Sequence, residues 1–353
     1  MAGPAQTLRP RPPRHTAWHE KAWPHVLSVS GAVFSDIDEG TNRLRFGGVD
    51  AAAVQRVAGV LGQLGIPSDA SIVEQTAPIE RMHTLRDRVR PVHGGYQINF
   101  LDAAGVRTVS FLCTLGFNVV KNGVSSFITN SHCTNHQGGT ETPTDYYQPL
   151  MDPDGDRLVN PENFIGVEVE DPHYDAVSCA VEMGLPGTVC RYSDAARAEY
   201  RVNGAFELGR IARTTQGYQD APRGPDGVRI PVLDVDPAKP SFTIKSEQQR
   251  SVLGEQANKV GRTTGWTFGP VTQTCLNSIV LGTAPPIVQR CQDRVRADVD
   301  GGDSGSPVFR QRGGGGNVAL MGILWGGSVS GTVTFVFSPM ANIHRELGDF
   351  QTH

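Results

Sequence analysis

Residues 302–307 read Gly-Asp-Ser-Gly-Ser-Pro, a serine held between two glycines. A Ser hydroxyl is a weak nucleophile at neutral pH. It attacks when an imidazole takes its proton and backbone N–H groups receive the oxyanion. Flanking glycines let the backbone turn tightly and another chain approach closely. The same residue types also make ordinary turns, so Ser304 needs partners elsewhere. His132 offers the base, closing the run Phe127-Ile128-Thr129-Asn130-Ser131-His132-Cys133. Asp175 offers the orienting carboxylate, placed just before an apolar run expected to be a strand. Asp171 is its rival, but it precedes Pro172 and reads as a turn former. His136 and His173 read as surface residues. Cys133-Thr134-Asn135-His136 starts a metal-ligand spacing without supplying a second ligand pair. Asp152-Pro153-Asp154-Gly155-Asp156 places three carboxylates in one loop; it reads as a solvated turn, with Ca²⁺ as the alternative. No metal and no cofactor is expected.

The elements that must hold these residues are short. With 41 Gly and 24 Pro in 353 residues, the chain is rich in turns and favours strands over long helices. The 32 Lys and Arg against 36 Asp and Glu leave a net charge of −4, so no basic field calls for nucleic acid. No uncharged apolar run reaches membrane-spanning length. Six cysteines fall in three neighbourhoods: Cys113 with Cys133, Cys179 with Cys190, and Cys275 with Cys291. Six allow 15 connectivities, and nearest-neighbour pairing is the expectation. Disulfides imply an oxidising, extracellular setting, although Met1–Thr16 carries no apolar signal-peptide core.

Along the chain, residues 1–22 are expected to be disordered. Residues 23–78 read as a small α/β unit: two β-prone runs, an amphipathic helix from Ala51 to Leu64 stopped at Gly65-Ile66-Pro67, and a further strand at 70–74. Residues 79–93, with Arg81, Arg86, Arg88 and Arg90, read as an exposed linker. From 94 to 353 short apolar runs are broken by Gly, Pro and Asn, the pattern of an all-β barrel or sandwich. A short closing helix is expected from Met340 to Leu347.

Five segments carry a resemblance: Cys113–Val119, Thr129–Asn135, Tyr174–Val177, Val260–Gly265 and Gly302–Pro307. In this order they resemble the chymotrypsin-fold, trypsin-like serine proteases, particularly the bacterial streptogrisin and α-lytic type, over residues 94 to 347. The resemblance implies a mainly β fold of two six-stranded antiparallel β-barrels. It implies His132 as general base, Asp175 as orienter and Ser304 as nucleophile, with the N–H groups of Gly302 and Ser304 as oxyanion hole. It implies a Cys113–Cys133 clamp and a buried cation holding Asp303, for which Arg262 is the candidate. Trp325, Gly326 and Gly327 would line the substrate strand, although Leu324-Trp325 stands where the family usually has Ser. Asp298, six residues before Ser304, would be a pocket-base carboxylate selecting Arg or Lys; a solvated acidic loop is the alternative. The segment around Asp36–Leu44 is similar to the pro-regions of such zymogens, with processing between Gln75 and Gly94; a permanently attached accessory domain is the alternative. The expected protein is thus a secreted, monomeric serine endopeptidase acting on protein or peptide substrates, with its pro-region as an intramolecular partner. A dormant homologue acting as a binding or regulatory module, and an esterase using the same triad, are the alternatives.

Overall fold

The computed structural model describes residues 13–79, 83–101, 110–152, 159–202, 206–217, 223, 225, 229–280, 282–328 and 332–353. These divide into two units, Met1–Arg81 and Met82–His353. The Asp152–Asp156 loop lies outside the described residues except for Asp152.

The first unit has helix α1 (Pro13–Leu27), strands β1 (Ala32–Asp38) and β2 (Arg43–Gly48), helix α2 (Ala51–Gln63) and strand β3 (Ser71–Gln75). The β-β-α-β order is as expected. The Asp50 carboxylate caps α2 by accepting from Ala53 N at 2.6 Å, which satisfies one of the free N–H groups of its first turn. The α2 crossover makes β2 and β3 parallel, whereas β1 and β2 are antiparallel. Residues 13–22 correct the expected disorder: they belong to α1, whose Ala22 and Val26 are fully buried with Phe46, Val57 and Leu61. An apolar face with a core to enter outweighs the Pro- and Arg-rich composition.

The second unit is mainly β. Its strands are β4 (Val92–Gly94), β5 (Gln97–Leu101), β6 (Ser110–Thr114), β7 (Phe117–Lys121), β8 (Val124–Thr129), β9 (Asp145–Tyr147) and β10 (Phe164–Glu170). Helix α3 (Ala176–Met183) and strands β11 (Val189–Arg191), β12 (Ala196–Tyr200), β13 (Phe206–Ala212) and β14 (Ser241–Glu247) follow. Last come β15 (Gln256–Gly261), β16 (Gly265–Val280), β17 (Ile287–Val295), β18 (Pro307–Gln311), β19 (Asn317–Ser328), β20 (Thr334–Pro339) and helix α4 (Met340–Leu347).

The first sheet runs β6-β5-β9-β10-β12-β8-β7. Its edge strands β6 and β7 are successive in the chain, joined by Leu115-Gly116, so the sheet curls round until its edges meet. Counting β6 and β7 as one bent run gives the expected six. In the second sheet β20 pairs with both β17 and β19. Strands β17-β16-β15-β18-β19-β20 therefore form a ring, antiparallel at every step. Strands β4, β11, β13 and β14 extend it, with parallel pairs β13–β4, β14–β19 and β11–β17. The two-barrel, mainly β expectation is met.

Each barrel fills with its own inward side chains: Ile98, Leu115, Phe127, Tyr146 and Ile165 in the first, Val271, Val295, Val308, Phe335 and Phe337 in the second. All three nearest-neighbour disulfides are formed. The expected linker is corrected over residues 83–93. Leu85 is fully buried and its N–H donates to Leu233 O at 3.0 Å. Arg86 Nε donates to Arg262 O at 3.0 Å, and Arg90 Nη1 to Gln148 Oε1 at 2.6 Å. These arginines fasten the segment to the barrels instead of leaving it in solvent.

Candidate active site

His132 stands in a short turn just past the end of β8. Tyr146 Oη donates to Cys133 O at 2.9 Å, and the Cys113–Cys133 bridge ties the turn to β6. The imidazole Nδ1 lies 2.5 Å from Asp194 Oδ2, and the other carboxylate oxygen accepts from His132 N at 3.1 Å. Burial works against the imidazolium. The charge of Asp194 and its hydrogen bond outweigh that and hold the His132 pKa above its usual 6.5. The side chain keeps 31% of its surface exposed, so Nε2 has room for a partner in the adjoining cleft.

The orienter is thus Asp194, and Asp175 is corrected. Asp175 Oδ1 accepts from Val177 N at 2.8 Å and Ser178 N at 3.0 Å, capping α3. The expected strand after it is this helix, whose orphan N–H groups engage the nearest carboxylate. Asp194 had the same sequence signal, an Asp before the small pair Ala195-Ala196. It reaches His132 because β12 pairs antiparallel with β8, Ala196 opposite Thr129. Asp194 N donates to Ser338 Oγ at 3.0 Å, and Ser338 Oγ donates to Gln292 Oε1 at 2.8 Å. Asn130 Nδ2 holds the Asp194 carbonyl at 2.7 Å. Asp171 braces the same turn. It accepts from Ser131 Oγ at 2.8 Å, Gly138 N at 2.8 Å and Arg191 Nη1 at 2.6 Å, in an almost wholly buried ion pair. Neither Asp171 nor Ser131 was singled out for this in the sequence.

The Gly302–Pro307 loop is pressed against the first barrel. Thr114 N donates to Ser304 O at 2.8 Å and Thr114 Oγ1 to Gly302 O at 2.9 Å. Gly305 has φ +90°, and a Cβ there would stand 2.1 Å from Thr114 O and 2.8 Å from Thr129 Oγ1. Only glycine fits. The carbonyls of Gly301 and Gly302 are tied to Thr263 and Thr114. Among the described residues the N–H groups of Gly302 and Ser304 have no acceptor, and the Ser304 hydroxyl has no partner. Two free N–H groups beside a free hydroxyl can receive an oxyanion formed on that oxygen.

The cation holding Asp303 is Lys259, which corrects Arg262. Lys259 Nζ is 2.9 Å from Asp303 Oδ2, both side chains fully buried. Thr263 N and Thr264 N donate to Oδ1 at 3.0 and 3.1 Å, and Thr264 Oγ1 to Oδ2 at 2.6 Å. Burial alone would raise the Asp303 pKa, but Lys259 and Thr264 together hold it below 3.8. Lys259 lies within β15 and faces inward. Arg262 follows Gly261 at the strand's end, where the chain turns, and its Nε donates to Gln97 Oε1 at 2.7 Å.

A cleft of about 970 Å³ opens beside His132, walled by Gln137, Gln273, Trp325, Gly326 and Gly327. Trp325, Gly326 and Gly327, the expected substrate strand, line this cleft. A Cβ added to Gly326 would meet nothing, so the wall is open there. Trp325 is fixed by its Nε1–H donating to Gln292 Oε1 at 2.8 Å. Among the described residues walling the cleft Asp298 is absent. It is half-buried, its carbonyl accepts from Thr267 Oγ1, and its charge acts on Lys259.

No family model matches the chain, and no curated protein does. Among solved structures it is similar to Thermobifida fusca protease A, with 16% identity over 74% of this chain and 98% of that one, TM-score 0.44. It is similar to a glutamic acid-specific serine protease, with 21% identity over 74% and 100%, TM-score 0.45. It is also similar to alpha-lytic protease homolog N4, with 18% identity over 74% and 99%, TM-score 0.46. At likenesses this low, it is the site's own geometry that carries the functional conclusion.

Proposed function

We propose that the protein is a secreted serine endopeptidase in which Ser304, His132 and Asp194 form the triad. The observation that carries this is the 2.5 Å contact between His132 and a buried Asp194, with the glycine-flanked Ser304 loop bonded to β6 beside it. In the proposed reaction the Ser304 proton passes to His132 Nε2 as Oγ bonds the peptide carbonyl carbon. The oxyanion takes the N–H groups of Gly302 and Ser304, and His132 returns the proton to the leaving amine as the C–N bond breaks. Water then repeats the sequence on the acyl-enzyme. Asp194 keeps the Nδ1–H tautomer and stabilises the imidazolium. The three disulfides support the extracellular setting; no described helix is long and apolar enough to cross a membrane. The first unit is read as a pro-region removed from the barrels by cleavage.

A fluorophosphonate probe tests the chemistry. The protein is expected to label at Ser304, Ser304→Ala not at all, and Asp194→Asn far more slowly, while Asp175→Asn labels as the parent does. Absence of labelling in the folded, processed protein overturns the reading; equal loss in Asp175→Asn and Asp194→Asn overturns the choice of orienter.

A further inference from the structure

The cleft beside His132 contains two cations that no described side chain pairs with. Arg294 on β17 and Arg296 just beyond its end both line it. Two apart on extended chain, they share a face. Gln273 and Val336, the register partners of Arg294 on β16 and β20, line the same cleft, so this outer barrel face is its floor. Among the described residues neither guanidinium has an ion pair or a side-chain hydrogen bond, and Arg294 Nε is buried without an acceptor. The one acidic side chain in the described lining is Asp194, committed to His132. A buried N–H donor left unmade is costly, and the group that satisfies a guanidinium fork best is a planar oxyanion.

Building on the serine peptidase reading, we propose that Arg294 and Arg296 make this a protease selective for peptides bearing a carboxylate side chain, Asp or Glu, seated in the cleft. This is the opposite charge preference to the one Asp298 would have conferred.

The test is binding without turnover. Full-length Ser304→Ala is titrated with fluorescein-labelled peptides identical except for a central Glu, Gln or Lys. The Glu peptide is expected to bind roughly tenfold more tightly than the Gln peptide, and the Lys peptide most weakly. The Glu preference should shrink as salt rises and disappear in Arg294→Gln/Arg296→Gln. Arg294→Lys, which keeps the charge without the fork, should retain part of it, and thermal melting confirms that each variant is folded. Equal affinity for Glu and Gln peptides, or a preference that survives the double substitution, overturns the proposal. The two readings separate cleanly. A protein that labels at Ser304 but ignores the Glu is a peptidase without this selectivity. One that prefers the Glu peptide but never labels keeps the acidic-peptide cleft and loses the enzyme.

Discussion

His132 is paired with Asp194 and Lys259 with Asp303, and each pair makes a pH prediction. The general base works when neutral, and Asp194 raises its pKa above 6.5. The acid limb of kcat/KM is therefore expected above pH 6.5. Asp194→Asn removes the larger raising influence and leaves burial opposed only by the smaller effect of Asp171, so the limb should move to lower pH while kcat falls by roughly 10⁴. A limb that stays in place with Asn at 194 would show that another group titrates. Asp303 has the opposite sign. Its folded pKa lies below 3.8, so its stabilising contribution is present above that value and is lost as pH falls through the depressed one. Lys259→Met would strand a buried charge, at a cost of roughly 3–5 kcal/mol, and shift acid unfolding to higher pH. Arg262→Met should cost only about 1 kcal/mol. Urea midpoints across pH measure both; equal losses would restore Arg262 as the partner.

At the scale of elements, the chain's local patterns carried most of the barrel strands, the Gly302–Pro307 turn, His132 and the nearest-neighbour disulfides. Those features are local in the chain; even the bridged cysteines are only 20, 11 and 16 residues apart. Asp194 and Asp175 could not be separated that way, since each precedes a pair of small apolar residues. What separates them is that 176–183 winds into a helix while 196–200 pairs with β8, a register fixed by the whole sheet. Lys259 and Asp303 are 44 residues apart in the chain and meet only in the folded barrel. The capping role makes its own prediction. Asp175→Ala should lower stability by about 1 kcal/mol and leave peptide hydrolysis almost unchanged. Gly305→Ala should do the reverse of that second part, because its Cβ would collide with Thr114 O. Melting temperature paired with kcat separates the two, and a loss of turnover in Asp175→Ala comparable to that of Gly305→Ala would contradict the assignment.

For the whole molecule, the sheets join distant parts of the chain. Strand β4 near residue 93 pairs with β13 near 209, and β14 with β19. Topology of this kind folds slowly, because loop-closure entropy is lost before non-local contacts form. An N-terminal unit with its own core fits an assistant that folds early. On the proposed pro-region reading, a cut that frees it must spare the barrels. Residues 83–94 are excluded as a cut site, since Leu85 is buried and β4 is already within the sheet. The cut is therefore expected between Gln75 and Met82, earlier than the arginine-bearing segment suggested. N-terminal sequencing of the purified active protein should find a start in that interval, with Ser304→Ala remaining full-length if the cut is self-inflicted. After unfolding in denaturant, the full-length Ser304→Ala chain should regain native fluorescence in higher yield than the processed protein. Equal refolding, or an active protein that retains residues 13–75, would make the first unit a permanent accessory instead.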